Sequence, residues 1–235
     1  AEDEVAAINM AIGASYAGAP SMASTSGGGF ALMVEGVSLA AMMETPVVIV
    51  VAQRPGPATG LPTRTEQADL EFVLHSGHGE WPRAIFAPGD VEECFHLTPK
   101  AFELAEKYQG PMFVLTDQFL ADSSRSVDPF DIANLATVAP HAASPDQPSP
   151  YKRYAITESG VSPRLVPCET RHLVITDSDE HDEDGHITED LEVRVRMVNK
   201  RRRKERGILG DVEPPTRSGH ESPALLRVRL GSTKG

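Results

Sequence analysis

Apolar residues fall into two patterns along this chain. The run PVVIVVA at 46–52 is unbroken and rich in β-branched residues, the mark of a strand buried on both faces of a parallel sheet. Shorter apolar runs predict further strands at 21–24, 84–86 and 112–116. Between them the spacing turns helical. Val5, Ile8 and Ile12 recur within 2–17, and similar periods predict helices over 30–43, 66–75 and 91–108. Small residues fill in the first helix, at Ala6, Ala7, Ala11 and Ala14, which implies close packing on a neighbour. Pro99 falls inside the 91–108 helix and predicts a kink there. This alternation of strand and helix predicts an α/β fold with a doubly wound, mainly parallel sheet.

The pattern changes after Asp122. Four prolines lie within 138–150, too many for regular structure. A short strand is predicted over 173–176, an acidic stretch over 177–190 and a charged helix over 191–206. The segment 224–235 reads as a strand followed by a glycine turn. We therefore divide the chain into an α/β domain at 1–122, an extended connection at 123–222 and the first strand of another domain at 223–235. The chain starts without Met inside a helical pattern, and we expect it to be an internal piece of a longer polypeptide.

A formal net charge of −12 argues against a nucleic-acid-binding surface. The basic run 200–204 then reads as a solvated helix end. Two cysteines, Cys94 and Cys168, are too few for a disulfide framework, a zinc site or an iron–sulfur cluster. No apolar run reaches membrane-spanning length, so a reducing cytoplasm is the expected compartment.

Candidate chemistry concentrates after the 46–52 strand. QRPGPATGLPTR at 53–64 is too rich in Gly and Pro to continue as strand or helix. Open parallel sheets bind ligands beyond the carboxyl ends of their strands. Arg54 and Arg64 would hang over that crevice with guanidinium groups suited to a carboxylate or phosphate, and Thr59 and Thr63 share the loop. The Ser26, Gly27, Gly28, Gly29 turn before a helix invites a phosphate cradle, yet it lacks the Lys and hydroxyl of a P-loop. His75 and His78 flank Gly77 and read as structural or interfacial. The 177–190 stretch has neither EF-hand nor zinc spacing, so no metal site is expected.

Several stretches together resemble the α-subunit of 2-oxoacid:ferredoxin oxidoreductases, most closely the 2-oxoglutarate type. They are EDEVAAINMAIGAS at 2–15, TSGGGF at 25–30, QRPGPATG at 53–60, GHGEWPR at 77–83 and DQFLAD at 117–122. YKRYAI at 151–156 and DSDEHDEDGHITED at 177–190 also match. The resemblance implies the pyrimidine-binding domain of a thiamine diphosphate enzyme, followed by the start of a transketolase C-terminal-like domain. By the same resemblance Glu4 hydrogen-bonds the aminopyrimidine and promotes its imino tautomer. The residue-level alternative is an acidic side chain favoured at a helix N-terminus. Ala7 and Ala11 would leave room for the ring. Arg54 would hold the 2-oxoacid carboxylate, with Thr59 and Arg64 as further substrate contacts. Ser26 and Gly27 would shape the cofactor end of the site. Gly28 departs from the family, which usually has Pro there, and Arg227 and Arg229 stand where it has small or apolar residues.

The resemblance places Mg²⁺, the diphosphate and a 4Fe–4S cluster on a partner β-subunit, with ferredoxin and coenzyme A as further reactants. Alone, the chain is expected to be inactive. The alternatives are a non-oxidative thiamine decarboxylase or transketolase-type enzyme, or a non-catalytic interaction module that kept the fold.

Overall fold

The computed structural model describes residues 1–135 and 137–234. Its centre is a four-stranded sheet built from β1 (Met22–Ser26), β2 (Val47–Gln53), β3 (Ile85–Phe86) and β4 (Pro111–Asp117). The strand order is β1-β2-β4-β3 and every pairing is parallel. Helices are needed to connect parallel strands, and here they cover both faces. On one face lie α1 (Glu4–Tyr16), α2 (Gly27–Met42) and α3 (Leu70–Leu74), packed on Val47, Ile49, Val51, Phe113 and Leu115. On the other, α4 (Val91–Tyr108) packs on Val48, Met112 and Val114. Successive residues of β2 and β4 thus feed opposite cores, which is why neither strand contains a polar residue until its carboxyl end. This is the doubly wound parallel sheet that the apolar pattern predicts.

The small residues of α1 have a packing role. Ile8 is fully buried against α2, where a side chain at Gly36 would meet its Cγ2 at 2.8 Å. Ala11 is 7% exposed and closed in by this core, so it leaves no room for a ring, while Ala7 packs on the same core but stays partly exposed. For Ala11 that corrects the expectation from sequence. Pro99 sits within a continuous α4, in which Thr98 Oγ1 donates to the Cys94 carbonyl. Asp90 caps that helix through Glu93 N–H at 2.8 Å.

The second half of the chain wraps back onto the domain. Its helix α6 (Leu191–Asp211) runs five residues beyond the predicted end and is capped by Asp190. The basic run 200–204 is consequently mid-helix. Lys200 and Lys204, one turn apart, both reach the carboxylate of Glu44, and all three side chains are buried. Arg201 is buried too, making two hydrogen bonds of 2.8–2.9 Å to Glu180. The solvated reading holds for Arg202 and Arg203 but not for Lys200, Arg201 and Lys204, because a helical i,i+4 spacing puts two cations over one acid that the sequence holds far away. Arg153 adds to the cluster, donating to the Glu44 carbonyl and to Gln109 Oε1. Burial alone would push the Glu44 carboxyl up, yet Lys200, Lys204 and Arg153 together hold it well below the usual carboxylate range. The acidic 177–190 stretch is packed in part. His181 is fully buried with its ring 3.9 Å from that of Tyr154, and Glu183 accepts from the Ile156 N–H.

Two predicted strands do not form. Residues 173–176 have no strand partner; instead the Val174 carbonyl and the Thr176 hydroxyl bond to Tyr16 and Tyr154. Residues 224–230 are irregular and exposed, followed by a 3₁₀ turn, Gly231–Lys234, that docks on the end of β4. A parallel strand needs a neighbour to pair with, and none lies beside either segment among the described residues. Gly235 lies outside the described residues.

Candidate active site

The sheet register decides which residues meet. Ser26 lies beside Ala52, and Gln53 beside Asp117, so the carboxyl ends of β1, β2 and β4 are level. Beyond that line the chain leaves β1 directly into α2 and leaves β2 into the 54–69 loop. The candidate residues gather around the first turn of α2.

Glu4 opens α1, just after its cap Asp3, whose carboxylate accepts from Ala6 N–H at 2.8 Å. The Glu4 side chain is half-buried and turns to the end of β1, where Thr25 Oγ1 donates to Oε1 at 3.3 Å. It lies directly over Gly29, at which any Cβ would collide with both Thr25 and the Glu4 carboxyl. Any side chain at this position would therefore have to displace those two groups. Among the described residues, Glu4 has no further hydrogen-bond partner, so its second oxygen is available.

Arg54 approaches the same turn from the other side. Its guanidinium NH2 donates to Ser26 Oγ at 2.9 Å, and NH1 reaches the Pro62 carbonyl at 3.5 Å. Ser26 occupies the N-cap position of α2 but does not cap it; its hydroxyl serves Arg54 instead. The Nε of Arg54 is buried without a partner. Arg54 therefore presents donors that the fold has left unused, as a site for an anionic ligand requires.

Gly27 begins α2 and is buried. Every atom that a Cβ there would strike belongs to the Asp69 carboxyl. Gly28 points to open space, with only the Ala58 carbonyl within 3.9 Å, so glycine in place of the family's proline disturbs nothing nearby. Thr59 and Arg64 lie on the exposed crest of the 54–69 loop. Neither is drawn in to Glu4 or Arg54. His75 is exposed and pairs with Glu71 at 3.3 Å, and the backbone N–H of the exposed His78 bonds to Ser38.

Sequence reasoning missed Gln53, Gln67, Asp69, Asp117 and Thr25. Asp117 caps α5 (Gln118–Asp122) through Leu120 N–H and receives Ser232 Oγ at 2.5 Å and Gln67 Nε2 at 3.0 Å. These donors hold its carboxyl below the ordinary range, although burial works the other way. A polar residue ending an apolar strand was the available signal: Gln53 and Asp117 each close such a run.

Comparison with known proteins identifies the family. Residues 1–200 match the family described as pyruvate flavodoxin/ferredoxin oxidoreductase, thiamine diphosphate-binding. The chain is 45% identical over 206 residues to the α-subunit of 2-oxoacid:ferredoxin oxidoreductase 1 of Sulfurisphaera tokodaii, covering 87% of this chain and 32% of that protein. It is 43% identical to the α-subunit from Saccharolobus solfataricus, covering all of this chain and 38% of the relative. The chain thus spans about a third of the length of these relatives. A solved structure, the 2-oxoglutarate:ferredoxin oxidoreductase of Magnetococcus marinus with 2-oxoglutarate, coenzyme A and succinyl-CoA bound, superposes with a TM-score of 0.90 at 39% identity. That match covers 95% of this chain and 39% of the other.

Proposed function

The chain belongs to the thiamine diphosphate-binding family of the pyruvate flavodoxin/ferredoxin oxidoreductases, and from that premise we propose that it is part of the α-subunit of a 2-oxoacid:ferredoxin oxidoreductase. The substrate we propose is 2-oxoglutarate. Two similar proteins from Archaeoglobus fulgidus and Mycobacterium tuberculosis are named for 2-oxoglutarate, at 44% and 40% identity, and the superposed solved structure holds that acid. The reaction would be oxidative decarboxylation to an acyl-CoA, with electrons passed to ferredoxin.

One observation carries the reading: Glu4 and Arg54 converge from different elements on the first turn of α2. A free carboxylate oxygen on one side and unused guanidinium donors on the other suit a ring that exchanges a proton and an acid that must be held. Thiamine diphosphate supplies a nucleophilic carbon and an electron sink for the departing carboxylate. In this assignment Glu4 holds and moves the proton on the pyrimidine, which needs a carboxylate able to change protonation in a sheltered site. Arg54 binds and orients the substrate carboxylate, fixing its approach and compensating its charge. Ser26 keeps the Arg54 fork in place, while Thr59 and Arg64 on the loop crest contact substrate or the neighbouring subunit.

A thiamine-binding β-subunit would provide the diphosphate site, Mg²⁺ and a 4Fe–4S cluster, since this chain supplies only the pyrimidine end. Residues 123–222 would connect to a further domain beginning near 223. No helix among the described residues is long and apolar enough to cross a membrane, and we place the complex in the cytoplasm. The test is reconstitution of the complete α-subunit with its partner, followed by viologen-dye reduction with 2-oxoglutarate, pyruvate and branched-chain 2-oxoacids. CoA-dependent reduction with 2-oxoglutarate at the highest kcat/KM supports the proposal. Thiamine-dependent turnover without dye or ferredoxin reduction would assign a non-oxidative enzyme instead, and full activity after loss of Glu4 and Arg54 would leave the chain a non-catalytic module.

A further inference from the structure

Asp69 stands at the N-cap of α3, yet its carboxylate makes no capping bond to that helix. Aspartate at an N-cap ordinarily bonds to its own helix, and forgoing that bond is unfavourable unless the carboxyl is needed elsewhere. Here the side chain turns away, into the crevice over Gly27. The Arg54 main chain and guanidinium charge both favour the ionised Asp69 carboxylate against its burial, while Asp69 N–H donates to Gln53 Oε1 at 3.1 Å. Oδ2 is buried with no partner, in the same crevice as the partnerless Nε of Arg54. Residues 53, 54 and 69 thus meet at the base of the 54–69 loop, on the side of α2 where Gly27 leaves room for the carboxyl.

We infer that Asp69 is a positioning residue: it clasps the loop at its base and fixes Arg54 for the substrate carboxylate. Gly27 is the seat this clasp requires, rather than a contact to cofactor. Gly29 plays the matching part beneath Glu4, so alternate glycines of one helix turn seat the two carboxylates of the site. The inference rests on the assignment of Arg54 to the substrate, but the clasp itself can be tested without turnover.

The experiment compares Asp69→Ala, Asp69→Asn, Gly27→Ala and the Gly27→Ala/Asp69→Ala double variant in the complete reconstituted complex. Asp69→Ala should raise KM for 2-oxoglutarate about tenfold, as loss of a hydrogen bond to a charged group does, with KM for coenzyme A unchanged. Asn keeps an oxygen of the same shape beside the Arg54 main chain and should recover part of the loss. Gly27→Ala should reproduce the Asp69→Ala defect because its Cβ evicts the carboxyl. In the double variant the obstacle is gone and alanine suits a helix better than glycine, so the second change should add nothing. Independently of activity, limited trypsin digestion should cut the Arg64–Thr65 bond faster in Asp69→Ala than in the parent. Multiplying effects in the double variant, an unchanged KM for 2-oxoglutarate, or equal cleavage rates would each overturn the clasp. A complex that turns over no 2-oxoacid while the cleavage rates still differ would refute the substrate assignment and leave the clasp standing.

Discussion

The guanidinium of Arg54 and the hydroxyl of Ser26 join the ends of two neighbouring strands, 2.9 Å apart. Because Ser26 spends its hydroxyl on Arg54 rather than on its own helix, its removal should be felt in substrate binding more than in folding. Ser26→Ala is expected to raise KM for the 2-oxoacid several-fold, as loss of one hydrogen bond worth about 1 kcal/mol does. Thermal unfolding should shift little. Steady-state kinetics and a melting curve on the same preparation check both halves.

Arg54→Lys keeps the charge and loses the planar fork. A lysine cannot serve Ser26 and a carboxylate bidentately at once. The expected loss in kcat/KM for the 2-oxoacid is about 10- to 100-fold, corresponding to about 1.5–3 kcal/mol for a hydrogen bond to a charged group. KM for coenzyme A should stay as it was.

Glu44 ties the second half of the chain to the first through Lys200 and Lys204. Glu44→Gln removes the acid and leaves buried lysines without their counter-charge, which costs about 3–5 kcal/mol. The pH dependence has a definite sign. The folded carboxyl titrates below its unfolded value near ~4.3, so the unfolded chain binds more protons in the acid range. Stability from this group is present above that range and is lost as pH falls through it. Urea midpoints of the parent should therefore fall as pH is lowered from ~5 to ~3.

Arg164 and Glu106 form a second buried pair, 2.8 Å apart with side chains 4% and 5% exposed. Arg164 also donates to the Ser15 carbonyl, so the pair fastens the 123–222 segment between α1 and α4. Arg164→Met alone should cost about 3–5 kcal/mol, whereas Arg164→Met/Glu106→Leu should recover most of it. Denaturant unfolding of the two variants decides.

The sheet was legible because buried parallel strands must be continuously apolar, and 46–52 and 111–115 are. Arg54 was legible for the same reason, since a Gly- and Pro-rich loop follows such a strand. The family resemblance, rather than any pattern, singled out Glu4. What stayed hidden depends on partners far along the chain. Lys200 reads as solvated until Glu44, 156 residues earlier, is placed beneath it. Asp69 reads as an ordinary helix cap until the fold shows that its carboxyl has turned to Gly27. Residues 173–176 carry a strand-like run but meet side-chain partners instead of a sheet edge. Nothing in local sequence separates those outcomes.

The central claim is that the Glu4 carboxyl serves the thiamine pyrimidine. The most direct measurement is the rate of hydrogen–deuterium exchange at the thiazolium carbon of thiamine diphosphate bound to the reconstituted complex, in the parent and in Glu4→Gln. We predict exchange slower by about 10²–10⁴-fold in the variant, the range for a lost general acid–base group, with cofactor still bound. Equal exchange rates in the two proteins would contradict the assignment.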